Sequence, residues 1–193
     1  MNGYSVVSYK NGSIPEDVYV TVTDILHDAF QERLQQGLDF KCGSFSPNDL
    51  RNDLKGDGYL FLAIGDNGCP IGTVSLKVRC KKGFLYGGYE NLAILNDYKG
   101  KGVAALLTEE LINKAKELNL GFLTSSTACK AYSSVRFHQK VGFIIYMKSH
   151  GDKYDSYNFI YPLKSLNILK IEFIRKIIYW GTTILVSKKR HII

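Results

Sequence analysis

Hydrophobic residues recur every three to four positions in two long stretches of the chain, which is the spacing of an amphipathic α-helix. The first stretch follows Ser13, with a proline and a glutamate close behind it, a pattern typical of a helix start. The second begins at Val103 and stops near Gly121. Its apolar positions are Leu107, Leu111, Ala115 and Leu118. We therefore expect two helices that each bury one face, and two shorter helices over 46–54 and 131–141.

Shorter runs rich in β-branched and aromatic residues lie between these helices, and turn residues separate them. The runs over 59–64, 71–80 and 84–95 are joined by turns at 66–68 and 81–83, each of which ends in glycine. Tight turns with glycine join neighbouring antiparallel strands, so these runs predict a meander. Further strands are expected around Val6 and over 122–126, 143–148 and 157–161.

Composition indicates one soluble globular domain of ordinary size. Hydrophobic residues make up 45% of the 193 residues and charged residues 22%, which is typical of such proteins. The net charge of +7 is unevenly placed, because residues 164–193 hold seven basic residues and one acidic residue. Residues 1–163 are close to neutral, with 18 basic and 17 acidic residues. A basic surface on this larger part of the chain is therefore not expected.

The four cysteines, Cys42, Cys69, Cys80 and Cys129, show neither C-x-x-C spacing nor a partnering histidine cluster. They predict reduced thiols, with no metal site and no disulfide framework. The sequence starts Met-Asn-Gly-Tyr-Ser, without the basic and apolar regions of a signal peptide. We therefore expect a cytoplasmic protein.

A turn rich in glycine and lysine connects the last strand of the meander to the helix that begins at Val103. It reads Lys99-Gly100-Lys101-Gly102-Val103-Ala104. Its glycines let the backbone approach a ligand, and the helix start adds unpaired N–H groups and a positive dipole end, so the turn predicts an anion site. Val103 stands where a Walker-type loop needs lysine, and Ala105 stands where a dinucleotide fingerprint needs its third glycine. A plain strand-to-helix connection is the alternative for the turn taken alone.

The turn and three further motifs, in order along the chain, resemble the GNAT superfamily of acetyl-CoA-dependent N-acetyltransferases. The family signature is Gln/Arg-x-x-Gly-x-Gly/Ala, which Gly102 and Ala104 match, while Lys99 replaces the usual first residue. The other motifs are Phe61-Leu62-Ala63-Ile64 with Ile71-Gly72-Thr73-Val74, then Glu90-Asn91-Leu92-Ala93-Ile94, then Val135 to the Gly142-Phe143 turn. Together they span roughly residues 4–163.

The resemblance implies an α/β (α+β) domain over residues 1–163, with a mixed, mostly antiparallel sheet of about six to seven strands flanked by about four helices. In this family the pyrophosphate of coenzyme A lies on the signature turn, and its pantetheine lies along the fourth strand beside a splayed neighbour. The acetyl carbonyl would accept an N–H near Ile94. The residues expected to bind acetyl-CoA are Leu92, Ile94, Leu95, Lys99, Gly100, Lys101, Gly102, Val103, Ala104 and Ser134.

Two residues are expected to handle protons. His138 stands where the family often has a tyrosine that protonates the thiolate leaving group, and an imidazole can donate a proton near neutral pH. Glu90 stands where members often place a glutamate that deprotonates the amine through ordered water. A solvent-facing histidine and a solvated surface glutamate are the alternatives. Ala131 replaces the family's pantetheine-binding asparagine, and Ser133 or Ser134 is the expected substitute.

The resemblance therefore predicts an enzyme that moves an acetyl group from acetyl-CoA directly to an amine of a small molecule or a protein. A non-catalytic acyl-CoA-binding module with a membrane- or partner-docking tail is the alternative, because the family's tyrosine and asparagine are both replaced. Leu38, Phe40 and Phe45, between the first two helices, are expected to be exposed beside the acceptor site.

Residues 164–193 lie beyond the resemblance and are expected to form a basic, amphipathic helical extension. Apolar residues over 166–186 form a wide face, with Lys170, Arg175 and Lys176 on the polar side. The run over 177–186 is too short to span a bilayer, which takes about 20 residues. We expect the extension to dock peripherally on a membrane, on a partner, on a second copy or on its own domain. Nucleic-acid binding is not expected, because arms that bind nucleic acids are usually polar and flexible, whereas this segment has a wide apolar face.

Overall fold

The structure, a computed structural model, describes residues 3–81 and 83–164. The helical extension expected over 164–193 lies, except for Lys164, outside the described residues. Within them, the chain forms a seven-stranded sheet, four α-helices and two short 3₁₀ helices. The strands are β1 (Ser5–Lys10), β2 (Gly58–Ile64), β3 (Pro70–Lys81), β4 (Phe84–Ile94), β5 (Phe122–Ala128), β6 (Ile144–Ser149) and β7 (Ser156–Pro162). The α-helices are α1 (Glu16–Gln35), α2 (Pro47–Asp53), α3 (Val103–Glu117) and α4 (Tyr132–Lys140), and the 3₁₀ helices are Lys41–Ser44 and Asn96–Tyr98.

The strands lie in the order β1-β2-β3-β4-β5-β7-β6. Neighbouring strands are antiparallel except β4 and β5, which are parallel. The chain crosses from β4 to β5 through α3, because parallel neighbours need a long connection. The mixed, mostly antiparallel sheet and the four flanking helices expected from the sequence are confirmed.

Two apolar cores lie on opposite faces of the sheet, because successive side chains of a strand point to opposite sides. On β2, Leu60 and Leu62 pack with α1 and α2, whereas Phe61 and Ala63 pack with α3. The helix α4 lies on the same face as α3, since Val135 packs against the α3 core. The sheet therefore separates an α1–α2 side from an α3–α4 side.

The two helix starts predicted from serine caps have different outcomes. At α2, the Asp49 N–H donates to Oγ of Ser46 (3.1 Å) and the Ser46 N–H donates to Oδ2 of Asp49 (2.9 Å), which is a capping box. At α1, the helix begins at Glu16 and Ser13 does not cap it. The Ser13 hydroxyl donates to the carbonyl of Lys10 instead, because two further residues separate it from the helix.

The strands β4 and β5 pair at two positions and then diverge. The paired positions are Gly87 with Leu123 and Gly88 with Thr124. A Cβ atom at Gly87 would lie 2.6 Å from a methyl carbon of Leu123 and 2.7 Å from one of Leu76, so glycine leaves room for these two buried side chains. Past these pairs β4 stays bonded to β3 and β5 to β7, and no further β4–β5 pair is present in the described part of the chain. A gap, the wedge, therefore opens between 89–94 and 125–128.

A bulge in β4 lies beside the wedge. Between two positions paired with β3, β4 has one residue more than its neighbour. Asn91 adopts a left-handed φ of 56° there, and its side-chain N–H donates to the carboxylate of Asp53 at the end of α2 (3.0 Å). This bond ties α2 to the strand that borders the wedge.

The connection between α1 and α2 packs inward, although its apolar side chains were expected to be exposed. Leu38 is 4% exposed and Phe45 is 5% exposed. Leu38 contacts Ala128 and Ala131, at the end of β5 and just before α4. The expectation of exposed side chains is wrong for both residues: Leu38 reaches across the wedge to the end of β5, and Phe45 packs into the core on the α1–α2 side.

Candidate active site

Two glycines in left-handed conformation shape the turn between β4 and α3. Gly100 has a φ of 78° and Gly102 a φ of 88°, and other residues adopt such values only at a cost of about 1 to 2 kcal/mol. A Cβ atom at either position would meet nothing within 4 Å. The outer surface of the turn is therefore open, and any side chain placed at these glycines would enter that space.

The start of α3 gives this open surface the character of an anion site. Gly102 caps the helix, and Val103 and Ala104 are its first residues. The N–H groups of these two residues precede the first intrahelical hydrogen bond and have no backbone acceptor within the part of the chain that the structure describes. Lys99 and Lys101 are exposed beside them. Free N–H groups, the helix dipole and two ammonium groups all favour a negatively charged ligand.

The residues expected to line the cofactor on β4 lie between this turn and the narrow end of the wedge. Leu92 is half-buried and Ile94 is buried, and both contact the core on the α3–α4 side. Leu95 contacts the core on the α1–α2 side. The edge of β4 has no β5 partner here, so its backbone groups face the wedge. The N–H donor expected near Ile94 stays a prediction.

His138 lies on α4 and its side chain is buried at the narrow end of the wedge. It is 4% exposed, so the alternative of a solvent-facing histidine is wrong. The imidazole stacks on Phe159, with 4.6 Å between ring centroids. Phe143 and Tyr89 contact the imidazole edge-on, at 5.3 and 5.7 Å. Three aromatic rings therefore fix the plane of the imidazole.

Hydrogen bonds determine which nitrogen of His138 carries the hydrogen. Nδ1 lies 2.8 Å from the carbonyl oxygen of Ser134, which only accepts, so Nδ1–H donates to it. Nε2 lies 2.9 Å from Oγ of Ser125 and, in the neutral ring, accepts from that hydroxyl. Burial lowers the pKa of His138 below its ordinary value, because the charged form loses its hydration. Near neutral pH, His138 therefore presents a proton acceptor toward Ser125.

Ser125 connects the buried imidazole to the wedge, and the sequence analysis did not identify it. It is the first residue of β5 beyond the last position paired with β4, and it is partly exposed. Strand alternation places it on the same face as the buried Leu123, toward α4. A polar residue at an inward position of a splayed strand is the signal that could have identified it.

Glu90 lies on β4 and points away from the face that Tyr89 occupies, toward α1 and α2. Its Oε2 is 2.7 Å from Nζ of Lys77, and its Oε1 pairs with Arg79. Lys77 also lies 2.6 Å from Asp53. The side chain of Glu90 is 28% exposed. Glu90 is therefore held in a partly buried charged network that joins β3, β4 and α2, and its two cationic partners were not predicted.

The residues at the start of α4 make contacts that the sequence did not predict. Ala131, which replaces the family's asparagine, is 1% exposed and caps the helix. The Ser133 hydroxyl accepts a hydrogen bond from Arg33 of α1. Ser134 contributes its carbonyl oxygen to His138. A cofactor contact by the Ser134 side chain stays a prediction.

Polar groups on both faces of the sheet lie on or beside the strands that border the wedge. Ser125 and His138 lie on the α3–α4 side, and Glu90 lies on the α1–α2 side. The glycine turn follows the end of β4, beyond the stretch of β4 that has no β5 partner. A ligand on the turn could therefore extend along β4 and meet a second molecule that enters from the opposite face.

Other kinds of site are not evident in the described residues. Between residues 3 and 81 and between 83 and 164, no cluster of three or more His, Cys, Asp or Glu side chains could hold a metal ion. The same ranges contain no helix that is both long and apolar enough to cross a membrane. The four cysteines are free thiols.

Comparisons with known proteins point to one family. The model of the acetyltransferase (GNAT) family matches residues 19–143, well over half of the chain. Among solved structures, the ribosomal-protein-S18-alanine N-acetyltransferase from Escherichia coli is 12% identical, with a TM-score of 0.66 over 86% of this chain and 97% of that one. A chain of the NatC complex bound to Gag peptide and CoA is 20% identical, with a TM-score of 0.64 over 83% and 99% of the two chains. The YncA protein of Salmonella typhimurium, solved with its cofactor acetyl-CoA, is 15% identical, with a TM-score of 0.62 over 84% and 96%. Identities this low show the fold alone, and no curated protein sequence matches the chain.

Proposed function

This chain belongs to the GNAT family of acetyltransferases, and we propose that it transfers an acetyl group from acetyl-CoA directly to an amine. The observation that carries the proposal is the wedge, which opens beside the glycine turn at the start of α3. It gives a long, thin ligand a path from an anion site to the buried His138. Such a path suits a molecule whose phosphates and reactive thioester lie at opposite ends of a flexible arm.

The residues of the turn fit the phosphate end of acetyl-CoA. Its two glycines leave open a space that a Cβ atom would enter, and the first two helical N–H groups have no backbone acceptor in the described chain. Its two lysines would balance the phosphate charge. Leu92, Ile94 and Leu95 would line the arm that follows, with Ser134 opposite them on α4. Acetyl-CoA would supply an acetyl group activated as a thioester.

Direct transfer requires that the amine lose a proton and that the thiolate gain one. His138 is the proposed proton carrier on the thiolate side. Glu90 as the base for the amine stays a prediction. A carboxylate has about four lone-pair sites, and Lys77 and Arg79 occupy one on each oxygen of Glu90. We propose that the remaining sites accept hydrogen bonds from the incoming amine and position it.

The acceptor, an amine of a small molecule or of a protein, is proposed to enter from the α1–α2 side. Two connections border this side and contact each other. Asp39, between α1 and α2, pairs with Lys153, between β6 and β7. Phe40 packs against Tyr154, with 5.6 Å between ring centroids. These connections differ among proteins that share a fold and a cofactor site, so they are the proposed determinants of acceptor choice.

A non-catalytic acyl-CoA-binding module is the second candidate function. It is favoured by the state of His138, whose Nδ1 hydrogen is engaged by a backbone carbonyl and whose Nε2 carries no hydrogen near neutral pH. It is also favoured by Ala131, which is buried where the family has an asparagine. Both functions need the glycine turn, and only the first needs turnover.

Binding and turnover measured on the same preparation separate the two functions. Calorimetry measures the affinity for acetyl-CoA, and thiol release from acetyl-CoA is followed with a panel of small amines and of peptides with free α-amino or lysine groups. The proposal predicts binding and amine-dependent release of coenzyme A. Tight binding without release from any amine supports the binding module, and absence of binding rejects both.

For the extension that follows residue 164, the apolar face and six basic residues of the sequence support the proposal of a peripheral docking segment of a cytoplasmic protein. Flotation with anionic liposomes tests it, with a chain that ends at Lys164 as the control. Flotation of the full chain alone supports membrane docking. Failure of both to float rejects it and leaves docking on a partner, a second copy or the chain's own domain.

A further inference from the structure

We propose that Ser125 and His138 form one proton relay that serves both halves of the acetyl transfer. In this relay Ser125 is the catalytic residue that contacts the reacting atoms, and His138 is the positioning residue that holds the proton behind it. The inference rests on the proposed function. It replaces two separate groups, an acid and a base on opposite faces of the sheet, with a single pair on one face.

The geometry of the pair is that of an activated hydroxyl. Oγ of Ser125 is 2.9 Å from Nε2 of His138, and Nδ1 of His138 is 2.8 Å from the Ser134 carbonyl. A hydroxyl, a base and a third group that orients the base are the parts by which enzymes make a serine reactive. The carbonyl of Ser134 fixes the tautomer, so Nε2 is always the nitrogen that faces Ser125.

The position of Ser125 gives this hydroxyl access to a ligand. The last pair between β4 and β5 joins Gly88 and Thr124, and Ser125 follows directly. Its side chain is partly exposed while His138 behind it is 4% exposed. A molecule in the wedge would therefore meet Oγ of Ser125 first and would reach the imidazole only through it.

Aromatic side chains enclose the imidazole of His138, so Ser125 is its main partner for exchanging a proton with a ligand. Phe159 of β7, Phe143 after α4, and Tyr89 of β4 enclose the ring. Tyr89 is the titratable group among these neighbours. Its hydroxyl is bonded to Thr108 of α3 (2.8 Å), and burial raises its pKa, so it stays uncharged. No charged side chain from the described elements packed against the ring shifts the pKa of His138, which burial lowers.

The proton balance of the reaction fits one relay. The amine nitrogen forms a bond to the acetyl carbon, the carbon–sulfur bond breaks, and one proton must leave nitrogen while one reaches sulfur. Oγ of Ser125 accepts the N–H of the amine and takes that proton as its own proton passes to Nε2 of His138. The reverse movement then delivers a proton from Oγ to the departing sulfur. Serine and histidine end as they began, and no further reactant is needed.

The charged network around Glu90 favours this arrangement over a separate base. Both oxygens of Glu90 are engaged by Lys77 and Arg79, and its side chain points to the opposite face of the sheet from His138. Ser125, in contrast, already has a base in contact with its hydroxyl. The pair therefore needs no rearrangement before it accepts a proton.

Substitution at Ser125, with an exposed serine outside the wedge as the matched control, tests the relay. Ser125→Ala is expected to lower kcat about 100-fold or more, the usual contribution of general acid–base catalysis, while acetyl-CoA affinity stays within about twofold of wild type. Ser125→Thr keeps a hydroxyl and is expected to restore most of kcat. Ser8→Ala changes an exposed serine of β1, at the edge of the sheet and away from the wedge, and is expected to leave kcat unchanged. A Ser125→Ala enzyme with wild-type kcat overturns the relay.

The pH profile and the histidine tautomer give readouts that a structural role would not change. In wild type, kcat is expected to fall as pH drops through the pKa of His138, and His138→Gln is expected to abolish this decrease.

Nitrogen NMR of His138 can be measured without knowing the amine substrate. The relay requires a hydrogen on Nδ1, and it requires that the Nε2 signal move when Ser125 is replaced by alanine. A hydrogen on Nε2 overturns the relay whether or not turnover is found. Acetyl-CoA binding without turnover in wild type rejects the proposed function instead.

Discussion

Oε2 of Glu90 lies 2.7 Å from Nζ of Lys77, and the same lysine lies 2.6 Å from Asp53. One cation therefore joins a carboxylate on β4 to a carboxylate at the end of α2. The Lys77 side chain is 15% exposed, so the pairing is only partly screened by water. This lysine fixes where Glu90 can point, and Glu90 thereby faces the side from which the acceptor is proposed to enter.

Glu90→Gln is expected to raise the KM for the amine several-fold and to change kcat by less than about threefold. The physical reason is that Glu90 positions the acceptor while Ser125 and His138 move the proton. The free energy of unfolding is expected to fall by about 1 kcal/mol, because a partly exposed ion pair contributes little and Lys77 keeps Asp53. Initial rates over a range of amine concentrations, with urea unfolding, measure both effects.

Glu16→Gln is the matched control for that substitution. Glu16 is the first residue of α1, its side chain is 72% exposed, and its carboxylate pairs with Arg51 of α2. The substitution is expected to leave KM and kcat unchanged. A fall in kcat of about 100-fold or more in Glu90→Gln, with normal rates in Glu16→Gln, would instead identify Glu90 as the base.

The stability of the protein is expected to depend on pH through His138. Burial lowers its pKa in the folded state, so the unfolded chain binds this proton more readily. The contribution is fully present above the unfolded pKa of about 6.5. It is lost as the pH falls through the lower folded pKa, at a slope of up to about 1.4 kcal/mol per pH unit for one proton.

Urea unfolding of wild type and His138→Gln across this pH range measures that contribution. The difference in unfolding free energy between the two proteins is expected to shrink as the pH decreases. A difference that stays constant, or grows, on acidification would contradict a buried, neutral His138.

The thiol of Cys42 is expected to react more slowly than the thiols of Cys69 and Cys80. Burial raises its pKa to about 12, so almost no thiolate is present near neutral pH. Cys69 and Cys80 are exposed. Native protein treated with iodoacetamide, then digested and analysed by mass spectrometry, should carry label on the exposed pair and none on Cys42. Labelling of Cys42 at the rate seen after unfolding would contradict its burial beside α1.

Features that depend only on residues adjacent in the sequence could be predicted from it. The glycine turn is one of them, because the left-handed φ of Gly100 and Gly102 and the free N–H groups after them are local properties. The capping box at Ser46 is another. Ser13 carries the same local signal, yet its hydroxyl bonds to Lys10, so a signal of this kind does not fix the first helical residue.

Contacts between distant elements could not be predicted in the same way. Ser125 and His138 are on different elements, and their hydrogen bond depends on how α4 packs on β5. Leu38 was expected to be exposed because nothing near it in sequence covers it, and it is buried by Ala128 and Ala131. The state of His138 likewise follows from its burial, so the sequence indicated the residue but not that it accepts a proton.

The measurement that tests the central claim most directly is the calorimetric affinity for acetyl-CoA of Gly102→Glu, with Gly12→Glu as its control. Both glycines have a left-handed φ, 88° and 87°, and open space beside them, so the two variants carry the same backbone cost of about 1 to 2 kcal/mol. Gly12 lies between β1 and α1, in a turn that is not part of the site. We predict that Gly102→Glu weakens binding at least about 100-fold, because its carboxylate repels the pyrophosphate at the helix start, and that Gly12→Glu binds like wild type. Equal affinity of the two variants would contradict the assignment of the turn as the acetyl-CoA site.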